Sequence, residues 1–468
     1  MSVPTGPRPR VVVVGGGVSG LAAAHRLLHR GADVEVLEAS PRTGGVLQRA
    51  EVGGVVVDLG AESVLARRPE AVELVRAAGL GDDLVHPATA AASVRSHGAL
   101  HRLPAGTVMG VPGSADQVAG LLHPDAVERV RAEEDLPAAP LEHDVAVADH
   151  VAARVGREVV DRLVEPLLGG VYAGHADRLS LRATVPALWE SARRGGSLLA
   201  AVRAAAAARP ADAGPVFAGV AGGVARLPEA LTAALAATGV AVRTGTPVTA
   251  LERDPAGGWR VITPGGTRTA DAVVLAVPAP VAAALLRTAV PAAAAELAAV
   301  ETAGVVIAAL AVPTVELGGL TGSGVLVPPV EAAAAGLRVK ALTLSANKWD
   351  WVAAQRPDVR VLRVSLGRAG EREALEADDA DVLRWAAADA STLLGRELHP
   401  VGSAVVRWVD GLPQYAVGHV ERVERLRAAV AAAGGLALAG AVLDGVGVPA
   451  CVAAATRAAD EVLPAPVG

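Results

Sequence analysis

Residues 10–38 run RVVVVGGGVSGLAAAHRLLHRGADVEVLE. Val11 to Val14 form an unbroken apolar run that stops at a turn, the pattern of a strand buried on both faces. Gly15, Gly17 and Gly20 give the spacing G-x-G-x-x-G and open a helix that runs to about Arg30, where Gly31 ends it. Val34 to Leu37 predict a second strand, and Glu38 closes it. This is the βαβ pattern of a dinucleotide site. Gly15 permits the tight turn, Gly17 lets backbone approach a pyrophosphate, and Gly20 lets helix and strand pack closely. The turn Gly15-Gly16-Gly17-Val18-Ser19-Gly20 offers free N–H groups and the positive end of a helix dipole to the phosphates. Glu38 lies about twenty residues further on, where a carboxylate holds a ribose hydroxyl pair.

Immediately downstream comes ASPRTGG, in which Arg42, Gly44 and Gly45 can reach back to the same pyrophosphate. An ordinary Pro-Gly turn is the alternative. A β-pattern over Val52 to Leu59 leads into Gly60-Ala61-Glu62-Ser63, then Arg67, Arg68 and a helix over Pro69 to Ala78. Ser93 to Leu103 has the look of a hairpin around His97-Gly98. Val118 to Val171 is expected to be mostly helical, with capping candidates Asp125 and Asp149, ending at Glu165-Pro166 and Gly169-Gly170. A second helical block, Arg182 to Ala208, runs into a linker at Arg209 to Pro215. Strands are expected at Val216–Val220, Val240–Val248, Trp259–Ile262 and Asp271–Pro278, the last returning to the first sheet. Further β-runs at Val305–Val312, Gly324–Val327, Leu337–Ser345 and Val361–Leu366 surround a helix, Asp378–Leu394. The chain closes with a helix (Val420–Ala433), a strand (Leu436–Ala439), the loop GAVLDGVGVP and a helix (Cys451–Val462).

Length and composition fit this outline. The chain has 468 residues, 52% hydrophobic and 20% charged, enough for two or three globular domains. A net charge of −6 argues against a general nucleic-acid binder. Cys451 is the sole cysteine, which excludes an intramolecular disulfide and a cysteine-ligated iron–sulfur cluster. The N-terminus MSVPTGPRPR has no apolar signal core, and later apolar runs are broken by Pro278, Pro280, Gly434 and Gly435. The expectation is a cytoplasmic protein with membrane contact at most peripheral. The predicted fold is α/β (α+β overall). Residues 1–70, 215–285 and 425–468 would form a Rossmann-like dinucleotide-binding domain, 71–100 and 286–424 a mixed-sheet substrate-binding domain, and 101–214 a helical insertion. Strand–GGG–helix–Glu serves NAD and FAD alike. Arg42-x-Gly44-Gly45 and the C-terminal glycine loop opening a helix favour FAD, because such a loop aims N–H groups at the flavin edge where reduction builds negative charge.

VVVGGGVSGLAAAHRL, DLGAESVLARRPE, EPLLGGVYAGHADRLSLRATVPAL, DAVVLAVPAPVAAALL, RWVDGLPQYAVGHVERV and GAVLDGVGVPAC cover almost the whole chain. Together they resemble the protoporphyrinogen/coproporphyrinogen oxidases of haem synthesis, within the flavin amine oxidase and desaturase group. EPLLGGVYAG, LPQYAVGH and GVGVPAC are the most specific of these matches. The resemblance implies a non-covalent FAD and the bacterial coproporphyrinogen-oxidising branch, which uses O₂ and makes peroxide. It places Gly15 to Gly20 at the pyrophosphate, Glu38 and Ala39 at the ribose, and Arg42 and Gly45 nearby. Gly60, Ala61, Glu62 and Ser63 fall by the flavin ring, Val248 at the adenine, and Trp408, Val448, Pro449 and Ala450 near the flavin again. The residues alone also allow Val248 as strand core and Trp408 as a buried aromatic. Where Ala450 and Ala455 stand, the family usually has an acidic residue and a glycine.

The reaction so implied removes hydride from methylene bridges between pyrroles, three times over, with three O₂ reduced to three H₂O₂. It needs orientation and exclusion of water more than a strong base, and no base is named. The substrate's propionates call for cations, and Arg67 and Arg68 are the first candidates, with Arg95, Arg178 and Lys348 next. A solvated helix start is the alternative for the first two. Tyr172 would face the macrocycle or pack the helical region. No metal is expected: His25 and His29 have i, i+4 spacing without a matching third ligand, and Cys451 suits a buried apolar position better than a flavin attachment point. The porphyrinogen and O₂ are the expected partners, with product handed to the next haem-pathway enzyme. Competing expectations are protoporphyrinogen IX as substrate, another flavin amine oxidase or desaturase, and a flavin-binding subunit without catalysis.

Overall fold

A computed structural model describes residues 8–208 and 214–463. The centre of the expected linker, residues 209–213, lies outside the described residues. Arg10–Val14 is the middle strand of a five-stranded, all-parallel sheet in the order Ala241–Arg243, Asp33–Leu37, Arg10–Val14, Ala272–Leu275, Leu436–Leu438. Its continuous valine run follows from burial on both sides. Val11 and Val13 enter one core with the helices Val18–His29 and Val448–Val462, while Val12 and Val14 enter another beneath the helices Ala279–Leu286, Pro291–Ala298 and His419–Ala433. Three segments hundreds of residues apart thus converge on the glycine turn.

A second, seven-stranded sheet runs in the order Gly402–Pro413, Thr302–Pro313, Val359–Leu366, Val339–Leu344, Gly324–Leu326, Ala92–Ser96, Ala99–Arg102. Thr302–Pro313 alternates by the rule of strands. Val306, Ala308, Leu310 and Val312 pack on one face with the helix Asp379–Leu394, whereas Val305 and Ile307 turn to the opposite face with Ala173. Helices between Pro124 and Ala207 build a separate core around Val151, Leu163, Leu188 and Tyr415. No helix among the described residues is long and apolar enough to cross a membrane.

Several local expectations need correction. The helix expected to stop at Glu165-Pro166 instead runs on through it: Glu165–Tyr172 continues directly from a π-helical turn, Val160–Val164, just ahead of Pro166. That helix runs through Gly169-Gly170 to Ala173, which caps it in a left-handed conformation (φ 50°). Asp125 and Asp149 are inside first turns, not at the N-caps, which are His123 and Ala146. Arg182–Ala208 is three short helices, Leu181–Thr184, Pro186–Ala192 and Leu198–Ala207. Val240–Val248 yields only Ala241–Arg243, and Val248 follows in a loop packed on the second of the two cores. The twelve-residue strand Gly402–Pro413 had no sequence counterpart, because its Arg, Asp, Gly and half-exposed positions mask the alternation.

Candidate active site

The glycine turn is locked by its own backbone. Gly15 has φ +107°, and a Cβ there would lie 2.4 Å from the Ala276 carbonyl oxygen; one on Gly20 would lie 1.9 Å from that of Gly15. Gly17 differs. Its φ is −70° and a Cβ would meet nothing nearer than Gly45 Cα at 4.0 Å. The chain itself leaves room at Gly17. The helix that Gly17 caps has no side-chain cap and no acid in its first turn, so no side chain of the helix start competes for its first N–H groups. Glu38 stands at its side: Gly16 N–H donates to Oε2 at 2.6 Å and Ser40 N–H to Oε1 at 2.8 Å. This half-buried carboxylate keeps further acceptor capacity beyond those two bonds.

Arg42 holds the second glycine loop. Its guanidinium donates to Gly45 O and Gln48 Oε1, each at 2.8 Å, and lies 5.9 Å from the Trp408 ring centroid. Gly44 N–H in turn donates to Gly16 O at 2.8 Å, so the two glycine loops are tied together. Trp408 Nε1–H donates to Leu59 O at 3.0 Å, bringing the seven-stranded sheet to the segment before Gly60. Gly60 is forced small, since a Cβ there would sit 1.8 Å from Val46 O. Ala61 is exposed and Ser63 half-buried. Glu62 bridges two cations of the seven-stranded sheet region, Lys348 Nζ at 2.7 Å and Arg363 Nη1 at 2.7 Å, and Arg363 also donates to Gly60 O at 2.5 Å. Burial pushes the Glu62 carboxyl up, yet Lys348 and Arg363 outweigh it and hold it down at about 2. A fourth approach comes from the C-terminus. The helix Val448–Val462 begins after Gly447 with no side-chain cap and no acid in its first turn; Val448 and Pro449 are buried and Ala450 half-buried. Ala455 is fully buried against the first helix.

Donor set, open space at Gly17 and half-buried acid suit a dinucleotide cofactor. Comparison with known proteins names the kind. The model of the family described as Flavin containing amine oxidoreductase matches residues 18–463. The chain belongs to this family. It is a flavin-dependent oxidoreductase. It is 42% identical over 97% of both chains to a protein of Mycobacterium tuberculosis H37Rv named Coproporphyrinogen III oxidase. A protein of the same name from Bacillus subtilis 168 is 30% identical over 95% of this chain and 96% of its own. A solved structure from Exiguobacterium sp. 255-15 superposes with a TM-score of 0.85 at 32% identity, over 97% of this chain and 99% of that one.

In this flavin-containing amine oxidoreductase the expected substrate anchors are mostly engaged elsewhere. Arg67 is exposed, and Arg68 pairs with Glu70 at 2.6 Å in the first turn of Pro69–Ala77. Arg95 pairs with Glu331 at 3.3 Å, Arg178 with Glu301 at 2.5 Å, and Lys348 with Glu62. Tyr172 is buried with its ring 5.6 Å from that of Tyr415, and burial pushes its hydroxyl up to about 12, so it stays protonated. Tyr415 stacks on His419 with centroids 3.9 Å apart. The His25 and His29 rings lie 4.3 Å apart, tilted by 43°. Sequence reasoning passed over Arg363, which fixes Gly60 and Glu62, and the buried pair Lys340 and Arg368. A cation inside a β-run, as in VKALTL and VRVLRVSL, was the available signal, because it must find a partner or a ligand.

Proposed function

We propose that this protein oxidises coproporphyrinogen III to coproporphyrin III, with FAD bound non-covalently and O₂ as terminal oxidant. The full-length likeness to proteins named for that reaction carries the reading. The glycine turn with Val18 and Ser19 would hold the pyrophosphate, Glu38 and Ala39 the ribose, and Val248 the adenine. Arg42, Gly45, Gly60 to Ser63, Trp408 and Val448 to Ala450 would surround the flavin ring. Bound there, a flavin accepts a hydride equivalent and returns it to O₂ as H₂O₂. The chain's own part is placement and dryness. Val305, Ile307, Ala173 and the flank of Trp408 make an apolar wall on the sheet face next to Gly60, which excludes water from a methylene bridge held there. Each of three turns would remove one hydride from a bridge and one proton from a pyrrole N–H, and a tautomerisation would complete the porphyrin, with three O₂ taken up and three H₂O₂ released overall. Burial pushes the Cys451 thiol up to about 11, which keeps it unreactive and supports a non-covalent flavin. Delivery of the porphyrin to the next haem-pathway enzyme belongs to the same reading.

The purified yellow protein is expected to bleach when coproporphyrinogen III is added without O₂, and to regain colour with porphyrin and peroxide on admitting air. A flavin that stays oxidised refutes the proposal. Run beside it, protoporphyrinogen IX should show the lower kcat/KM; the reverse order would reassign the substrate. At the ribose, Glu38→Gln should weaken FAD binding by about one to two decades, the worth of a charge-assisted hydrogen bond of ~1.5–3 kcal/mol. Glutamine can still accept one of the two backbone N–H groups, so circular dichroism should be unchanged. An unaltered FAD dissociation constant would remove Glu38 from the cofactor site.

A further inference from the structure

We infer that Lys340 and Arg368 form a carboxylate-binding subsite between the seven-stranded sheet and the helix Glu165–Tyr172, taking a propionate of the tetrapyrrole. The inference rests on the proposed substrate class and adds the residues that would hold it. Lys340 is 5% exposed and Arg368 4%. Arg368 Nη2–H donates to Val327 O at 2.9 Å, but its Nε–H has no acceptor. Lys340 Nζ has no hydrogen bond or ion pair among the described residues. Two neighbouring cations buried without a contacting anion are costly, and such groups mark functional sites more often than structural ones. Burial, then the nearby Arg368 charge, push Lys340 down to about 7.

No acid among the described residues fills the gap. Glu165 is occupied by His175 Nδ1 at 2.8 Å and Ala176 N–H at 2.6 Å. Glu371 acts on Lys340 only through space and is itself exposed. Arg68, Arg95, Arg178, Lys348 and Arg363 each have a carboxylate partner, as set out above. Local structure also shapes the surroundings of the two cations. Lys340 is the extra residue of a β-bulge between Val339 and Ala341, a feature that re-aims a side chain. Across from Arg368 the helix presents Gly169, where even a Cβ would already approach Nε to 3.7 Å, and Gly170 follows, where one would come within 3.9 Å of Leu326. Any larger residue at Gly169 would fill the space beside Nε. On the same sheet the neighbours Ala341 and Ser365 are small. A carboxylate here would accept from Lys340 Nζ and from the free Arg368 Nε–H.

Binding of coproporphyrin III to the flavin-loaded protein, followed by porphyrin fluorescence, tests this in wild type, Lys340→Met, Arg368→Gln and Lys340→Arg. Its tetramethyl ester, in the same dilute detergent, separates carboxylate from macrocycle, and inorganic phosphate as competitor separates a propionate site from a general anion site. The Met and Gln variants should lose roughly ten- to a hundred-fold in affinity for the free acid. They should bind the ester as wild type does, with normal flavin content, and Lys340→Arg should regain most of the loss. Lys340→Met should melt no lower than wild type, because an unpaired buried charge is gone. Unchanged free-acid affinity in both variants, an equal loss for the ester, full displacement by millimolar phosphate, or no coproporphyrin binding by wild type each overturns the subsite. A wild type that binds coproporphyrin through these residues without being reduced by coproporphyrinogen would overturn the proposed reaction and leave the subsite standing. Turnover with indistinguishable variants would do the reverse.

Discussion

Gly17→Val is expected to fold and to purify colourless. The chain tolerates a side chain at this position: φ is −70°, and a Cβ meets no atom closer than 4.0 Å. What a valine would occupy is the space in front of the uncapped N–H groups of Val18–His29, where a pyrophosphate must come within hydrogen-bond reach. The loss should therefore be of cofactor and not of structure, and all flavin-dependent activity goes with it. Gly20→Val supplies the contrast. There a Cβ falls 1.9 Å from Gly15 O, so that variant should damage the turn and lower stability as well. Flavin absorbance per protein and thermal melting of both variants check the pair. A Gly17→Val protein with full flavin would show that the dinucleotide lies elsewhere.

Glu62→Ala should be the most destabilising single change at the site, by about 3–5 kcal/mol, because it strands two buried cations. The side chains of Glu62, Lys348 and Arg363 are only 11%, 15% and 9% exposed, so water cannot replace the lost carboxylate. Freed Arg363 would also loosen its hold on Gly60 O, which shifts the segment proposed to border the flavin. Urea unfolding measures the loss, and a cost below about 1 kcal/mol, the level of an exposed pair, would refute it. The same group gives a pH signature. With a folded value of about 2 against an ordinary 4.5, its stabilisation is complete above 4.5 and disappears as pH falls from 4.5 through 2. Wild type should lose this component on acidification, and Glu62→Gln should lack it. Asp58, pushed up to about 6 by burial, has the opposite sign: it costs the fold stability as pH rises from 3.8 through 6. Burial is the main cause of the Asp58 shift and the Glu62 charge a smaller one, so the difference between the two proteins below pH 4.5 reports mainly Glu62.

The candidate substrate anchors show what the linear chain leaves open. Arg67 and Arg68 directly follow the Gly60–Ser63 segment, and nearness in sequence made them the natural choice. Arg68 instead closes on Glu70, two residues away, at the start of a helix. Lys340 and Arg368 lie far from the dinucleotide glycine motif in sequence; Lys340 interrupts an apolar β-run, and Arg368 stands in no such pattern. Their lack of a partner is a statement about everything else that packs around them. In the same way Pro166 and Gly169-Gly170, all helix breakers by type, lie within one helix because a π-turn precedes it and packing against the sheet sustains it.

The sequence by itself determined the βαβ unit with its glycine turn, the return of Ala272–Leu275 to the same sheet and the family. Each depends on local rules: glycine where a Cβ has no room, apolar runs where both faces are covered, a period of two or of 3.6 along an element. Only the tertiary structure decided which charges are spent. Glu62 meets Lys348 and Arg363 across 286 and 301 residues of chain. Whether a cation is neutralised or left to receive a ligand depends on such distant contacts and on the desolvation they impose, and no window of sequence contains either.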